Sequence, residues 1–340
     1  MGISMREGML YERMAEGAVR CNVCAFRCII RPGARGVCLV RRNVDGTLYT
    51  LVYGRTVTQE IDPVEKKPLF HFYPGSSAYS IATVGCNFRC RFCQNWEVSQ
   101  AVRDEHFIMG VEASPEQIVR AAQETGCRSI AYTYTEPTIF FEYAYDTARL
   151  AHEAGLANIF VTNGYETPEA LETIRPYLDA ANVDLKSFSD EYYRRICTAR
   201  LQPVLDTLRH IRRLGIWLEV TTLIIPTLND SEDELRALTS FLVEELGPDT
   251  PWHVSRYFPA YKLIDKPVTP LNTLERAWQI GREAGLRYVY VGNVPAGDME
   301  NTRCHRCGDL LIQRRSLALV QNRLEQGKCP RCKQAVAGVW

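Results

Sequence analysis

Three cysteines fall within eight residues, in the stretch Cys86-Asn87-Phe88-Arg89-Cys90-Arg91-Phe92-Cys93. A 4Fe–4S cubane usually takes four thiolates. Three local thiolates leave one iron without a protein ligand. An open iron binds a small molecule, which a reactive cluster needs and a pure electron carrier does not. A zinc site made of three cysteines and a distant fourth ligand is the competing expectation. Two more groups carry related chemistry: Cys21, Cys24, Cys28 and Cys38 ahead of this stretch, and Cys304, Cys307, Cys329 and Cys332 behind it. The last group is two Cys-x-x-Cys knuckles separated by 21 residues, a zinc-ribbon spacing. So small a module has too little core to fold unaided, and the metal supplies the stability. The first group has gaps of two, three and nine residues. Zinc and an auxiliary iron–sulfur cluster both remain open there, with free thiols a third expectation. Six arginines (Arg20, Arg27, Arg31, Arg35, Arg41, Arg42) surround it, either to stabilise thiolates or as a solvated face. Cys127 and Cys197 stand apart and read as small buried hydrophobes.

The elements that must position these groups change character along the chain. Up to about residue 75 the pattern is irregular, punctuated by Gly and Pro, with short strand-like runs LYTLVY and VTQEI. From residue 79 strand and helix patterns alternate. Strands are expected at 79–84, 129–134, 157–162, 180–185, 216–225 and 252–257, with 288–291 a candidate seventh. Helix starts are marked by Ser114-Pro115, Thr167-Pro168 and a capping box at Ser231-Glu-Asp-Glu234; Ala-Gly pairs at 154–155 and 284–285 mark helix ends. Such alternation predicts an α/β fold with parallel strands. No Gly-x-Gly-x-x-Gly follows the first strand, so a dinucleotide domain is not expected. The organisation expected is a cysteine-rich extension over 1–75, a β/α unit over 76–296 and a zinc-ribbon-like module over 297–340.

The chain has 340 residues, with 40 basic and 40 acidic side chains that cancel. Charge therefore gives no reason to expect a nucleic-acid partner. The opening MGISMREGML does not read as a signal peptide, and no apolar run reaches about 18 residues, so no membrane span is expected. Clustered cysteines without such a leader suit a reducing, cytoplasmic compartment.

Parallel barrels place their chemistry at the C-terminal ends of the strands. Here those ends are polar in succession: the cysteine loop, Thr133 to Glu136-Pro137, Thr162-Asn163-Gly164, Asp184 with Lys186, Thr221 and Thr222 with the turn at 226–230, then His253 and Arg256. Each alone is weak, since an Asn-Gly is commonly a turn and an Asp-x-Lys commonly a solvated pair. Their convergence on one rim is what points to a site. Glu65-Lys66-Lys67-Pro68 and His71 just precede the barrel and read as an edge strand and turn rather than as a cover over its mouth. Aromatics from Tyr132 to Tyr145 read mainly as core, with Tyr134 and Phe141 near enough to reach the mouth.

The stretch CNFRCRFC resembles the signature of the radical SAM superfamily, with an aromatic just before the last cysteine. The resemblance implies a partial parallel (β/α)6 barrel and a 4Fe–4S cluster on Cys86, Cys90 and Cys93, whose open iron chelates S-adenosylmethionine (SAM). It implies that Phe92 packs near the adenine. Thr135 and Glu136 stand where the family's Gly-Gly-Glu holds the SAM amino group, although Tyr134 and Thr135 replace the glycines. Asn163 and Gly164 resemble the Thr-Asn-Gly of glycyl-radical-enzyme activases, Asp184 and Lys186 their Asp-x-Lys, and His253 a histidine near the ribose. The flanks CNVCAFRC, GARGVCLVRR, EKKPLFHFYPGS and the terminal knuckles resemble the radical SAM member of the AmmeMemoRadiSam system. That likeness implies Memo-like and AMMECR1-like partners, and the chemistry implies a reductant such as flavodoxin or ferredoxin. The activity implied is reductive cleavage of SAM to methionine and a 5′-deoxyadenosyl radical that takes hydrogen from a substrate. A glycyl-radical-enzyme activase is the alternative, although the extra cysteine group precedes the SAM motif here and follows it in activases. A non-enzymatic metal-binding scaffold is the third expectation, and it predicts no SAM binding.

Overall fold

Eight strands form the central sheet in a computed structural model that describes residues 5–104 and 107–340; residues 1–4 of the opening stretch lie outside it. They are β1 (Thr58–Pro63), β2 (Ser77–Ala82), β3 (Ser129–Tyr132), β4 (Ala157–Thr162), β5 (Ala180–Asp184), β6 (Trp217–Ile224), β7 (Trp252–Arg256) and β8 (Val289–Gly292). Their order in space is their order in sequence, β8 at one edge and β1 at the other. β2 to β8 are parallel, and β1 runs antiparallel beside β2. Six parallel strands were expected with a seventh as candidate; the seventh pairs fully with β7. The antiparallel β1 adds an eighth, from the sequence ahead of residue 76.

Each crossover carries a helix: α1 (Pro115–Glu124), α2 (Phe141–Glu153), α3 (Pro168–Ile174), α4 (Leu201–Arg213), α5 (Glu232–Phe241) and α6 (Leu271–Glu283). Parallel strands covered by helices bury both faces and need continuous apolar runs. Ile130, Ala131 and Tyr132 of β3 are accordingly inaccessible. Ser114 opens α1 with a full capping box, its amide bonding Gln117 Oε1 at 2.7 Å while Gln117 N bonds its hydroxyl. At α5 only half of the expected box forms. Ser231 Oγ accepts from Glu234 N, but the Glu234 carboxylate turns to Ser187 Oγ and the Phe188 amide. Two donors from the neighbouring loop outcompete the local return bond, and the helix is thereby tied to the loop after β5.

The first 50 or so residues make two small antiparallel sheets. They dock on the loop after β4, through Ala25 N to Tyr165 O at 2.8 Å and Thr167 Oγ1 to Asn22 O at 2.6 Å. Arg41 crosses to α2 as a buried, two-pronged pair with Glu142, both bonds 2.8 Å. Of the six arginines near the first cysteines, Arg41 alone is buried; Arg27 pairs with Glu169 and Arg20 with Glu12 at half-exposed positions. The final module is a three-stranded antiparallel sheet. It packs Leu311, Ile312 and Val336 against Phe70, Tyr288 and Tyr290.

Candidate active site

The C-terminal ends of the strands open on a cleft of about 610 Å³. Cys86, Cys90, Cys93 and Phe92 line it from the β2 loop, Thr135 from the β3 loop, Asn163 after β4, and Asp184 with Lys186 at the end of β5. These are groups the sequence marked for the rim, brought together from four segments. Gly164 allows one turn: its φ is +73°, and a Cβ there would lie 2.7 Å from Val183.

The cysteine loop is held at several points. Arg89 N and Arg91 N donate to the carbonyls of Cys197 and Ile196, both at 3.0 Å. Cys93 Sγ lies 3.2 Å from Ser99 Oγ. Cys197 thus does more than fill space, because its carbonyl braces the loop and its thiol faces Cys90. Asn163 Nδ2 donates to Asn87 Oδ1 at 2.8 Å, and its buried Oδ1 has no protein partner. Lys186 Nζ bonds Asp184 Oδ2 at 2.7 Å and lies 5.8 Å from the centre of the Phe92 ring. Burial opposes the charge on Lys186, but Asp184 and the nearby thiols hold it protonated well above the ordinary lysine range.

Spacing separates the kinds of metal site. Tetrahedral zinc holds its sulfurs about 3.8 Å apart, whereas a cubane spreads its cysteine sulfurs roughly 6.5 Å apart. Among the described residues, Cys304, Cys307, Cys329 and Cys332 form the group whose ligand atoms all lie within 4.8 Å, with Cys304–Cys332 at 3.5 Å and Cys307–Cys329 at 3.7 Å. That group fits a single metal ion. Cys86, Cys90 and Cys93 face one cleft but do not form such a single-ion group.

Glu136 lies behind the cleft wall rather than on it. It is fully buried and accepts from Asn163 N at 2.8 Å, Thr138 N at 3.1 Å and Thr162 Oγ1 at 3.0 Å. Thr162 Oγ1 also lies 2.5 Å from Glu166 Oε1. One hydroxyl carries one proton, so one of these two contacts is made by a protonated carboxyl. Burial pushes both carboxyls up, Glu166 to about 8 with the charge of Glu136 added, so the pair holds a proton between them. A carboxyl raised in the folded state binds more protons there than in the unfolded chain. Stability therefore falls as pH rises from about 4.5 to about 8. Glu166→Gln is expected to remove up to about 1.4 kcal/mol per pH unit of that slope, read by denaturant unfolding across the window. An unchanged slope would show that Glu166 is already ionised.

His253 faces a neighbouring pocket with Phe70 and Glu300. Thr221 and Ser255 border both spaces. His253 Nε2 bonds buried Glu219 Oε2 at 2.6 Å, and Glu219 also accepts from the amides of Phe70 and His71. Burial alone would raise Glu219, but the bond from His253 and the charges around it hold it below the ordinary carboxylate range. His71 is buried against Tyr290 and the Ala337 carbonyl, away from the mouth.

The main surprise is Lys67. The sequence reads it as part of an edge and turn, yet it lines the cleft beside Lys66 and Tyr134. Its Nζ bonds Asp62 Oδ2 at 2.6 Å, and the Tyr134 hydroxyl donates to the same oxygen. Burial, opposed by Asp62, pushes Lys67 down to about 8. Tyr134 adopts φ +61°, a costly conformation for a bulky residue, which turns its ring over Lys67 at 4.6 Å. The adjacent charged run at 65–67 was the available signal, but nothing local pairs it with residue 134. Phe141, by contrast, is wholly in the core.

The chain belongs to the radical SAM superfamily, whose family profile matches residues 80–239. It is 46% identical over 334 residues to an uncharacterized protein of Methanocaldococcus jannaschii, MJ0808, covering 98% of this chain and 99% of that one. It is also 23% identical over 167 residues to the pyruvate formate-lyase-activating enzyme of Clostridium pasteurianum, 46% of this chain and 66% of that one. In fold it is similar, at TM-score 0.51, to a radical SAM methyltransferase from Sphaerobacter thermophilus (17% identity; 70% of this chain, 71% of that one). Streptococcus suis SuiB bound to S-adenosylmethionine is as similar, at TM-score 0.51 (14% identity; 68% and 53%). Among the described residues no helix is long and apolar enough to cross a membrane.

Proposed function

We propose that the cleft is a radical SAM active site, with a 4Fe–4S cluster on Cys86, Cys90 and Cys93 and SAM seated against its open iron. The observation that carries this is the gathering of all three cysteines, Phe92, Asn163, Asp184 and Lys186 on one cleft. When bound and reduced, the cluster supplies the electron that splits SAM into methionine and a 5′-deoxyadenosyl radical. The chain's own work is positioning and exclusion of water. Asp184 suits the SAM amino group, and Lys186 and Phe92 line the same cleft. Glu136 fixes the Asn163 backbone from behind, so here it acts as a positioning residue. Lys66, Lys67 and Tyr134 also line the cleft and are the groups left to meet the substrate. A flavodoxin- or ferredoxin-class protein supplies the electron, and the terminal cysteines hold zinc.

The anaerobically reconstituted protein is expected to release 5′-deoxyadenosine from SAM under strong reductant, and Cys90→Ala is expected to fall to background. A fully loaded cluster giving no deoxyadenosine would refute the proposal. The likeness to an activating enzyme supports a second, narrower reading, in which the hydrogen donor is a protein glycine. A doublet in the electron paramagnetic resonance spectrum of mixtures with a candidate protein would support it, and persistent absence would exclude it.

A further inference from the structure

We propose that Cys21, Cys24, Cys28 and Cys38 hold a second 4Fe–4S cluster, ligated entirely by the chain, which passes electrons to the cluster at Cys86, Cys90 and Cys93. The site stands on its own geometry; the direction of transfer rests on the proposed SAM chemistry.

All four cysteines line one pocket. All four are free thiols. Among the described residues, no three of them bring their sulfurs within 4.8 Å, although the terminal knuckles do. Zinc would require convergence to about 3.8 Å. A cubane fits thiolates that ring a space without converging. The rest of the wall is mostly apolar, with Val23, Phe26, Ile30 and Ile139.

The pocket adjoins the active cleft. Asn87 lines the pocket, while its neighbour Cys86 lines the cleft. A Cβ on Gly85 would lie 3.5 Å from the Cys38 carbonyl and 2.9 Å from Val40, so the two cysteine loops touch through backbone. Glycine at φ +101° is what permits this approach. One layer of peptide thus separates the two sites. A low-potential one-electron donor reduces the outer cluster. That cluster returns to its oxidised state as the same electron reaches the inner one, with no atom transferred.

The test is metal content of the anaerobically reconstituted full chain, with spectroscopy. Wild type is expected to hold about eight irons, eight sulfides and one zinc. The triple variant Cys86→Ala, Cys90→Ala, Cys93→Ala is expected to keep about four irons, with a reduced-cluster resonance that SAM does not alter. Cys24→Ser with Cys28→Ser is expected to keep about four irons whose resonance does shift with SAM. Wild type with about four irons and two zincs, or an iron-free triple variant that retains native circular dichroism, overturns the proposal. Eight irons without SAM cleavage would uphold the second cluster and refute the proposed function; four irons with SAM cleavage would do the reverse.

Discussion

Arg41→Ala is expected to destabilise the chain by about 3–5 kcal/mol, the largest effect of any single non-cysteine substitution considered. Arg41 and Glu142 are 3% and 2% exposed and meet through two bonds of 2.8 Å. Arg41 also donates to the Thr138 carbonyl, and Glu142 accepts from the Met9 amide. Burial alone would lower Arg41, but the Glu142 carboxylate outweighs it and drives the guanidinium above its ordinary range. Truncating either partner leaves a buried charge without its complement. Replacing both with apolar residues of similar volume removes that penalty. The double variant Arg41→Met, Glu142→Leu is therefore expected to be more stable than Arg41→Ala. Chemical denaturation of the four members of the cycle decides it. If the double variant is no better than the single, the loss comes from packing and not from an orphaned charge. The pair joins the N-terminal sheets to α2, so exposure of that module to protease should rise in Arg41→Ala first.

Cys329→Ser is expected to release one metal equivalent and unfold the terminal module. Its four sulfurs lie within 4.8 Å, and its own core is small. Metal binding on the order of 10 kcal/mol is then folding energy for that module. The effect should spread inward along a traceable route. Arg314 donates to the Phe70 carbonyl at 2.6 Å and lies over the Phe70 ring at 4.2 Å. The Phe70 amide in turn bonds Glu219, which holds His253. Val339 N bonds the His71 carbonyl at 2.7 Å. Loss of the metal is expected to free the segment at 297–340 for proteolysis and to weaken SAM binding through Thr221 and Ser255, which the His253 pocket shares with the cleft. Metal analysis, limited proteolysis and calorimetry with SAM check this. Unchanged SAM affinity in a variant whose module has been cleaved away would show that the route to His253 carries nothing.

Much of the site was legible beforehand because cysteine spacing is local. Three thiolates in one loop, and two knuckles at ribbon distance, are stated by the chain itself. The strand positions also followed from periodicity, with ends shifted by one or two residues. Periodicity marks burial, and burial fades gradually at a strand end. The chemistry of the rim was less legible. Glu136 was expected as a direct contact because it stands where the family's Gly-Gly-Glu does, yet it is fully buried and accepts from Asn163 and Thr162 as well as from its neighbour Thr138. Glu234 looked like half of a capping box and instead serves Ser187 and Phe188. In both cases donors distant in sequence claim the carboxylate, and at Glu234 they displace the local partner.

The sequence alone determined the reagents: which segments carry thiolates, how many each offers, and the alternation that stacks strand ends on one rim. The tertiary structure decided the partnerships. Tyr134 meets Asp62 across 72 residues and His253 meets Glu219 across 34, contacts that exist because the sheet runs in sequence order with β1 folded back on its edge. It also set the spread of each cysteine group, since a spacing in sequence says which thiolates can cooperate but not how far apart the fold holds their sulfurs. That distance is governed by what packs between the loops, and it is what separates a site for one ion from a site for a cluster.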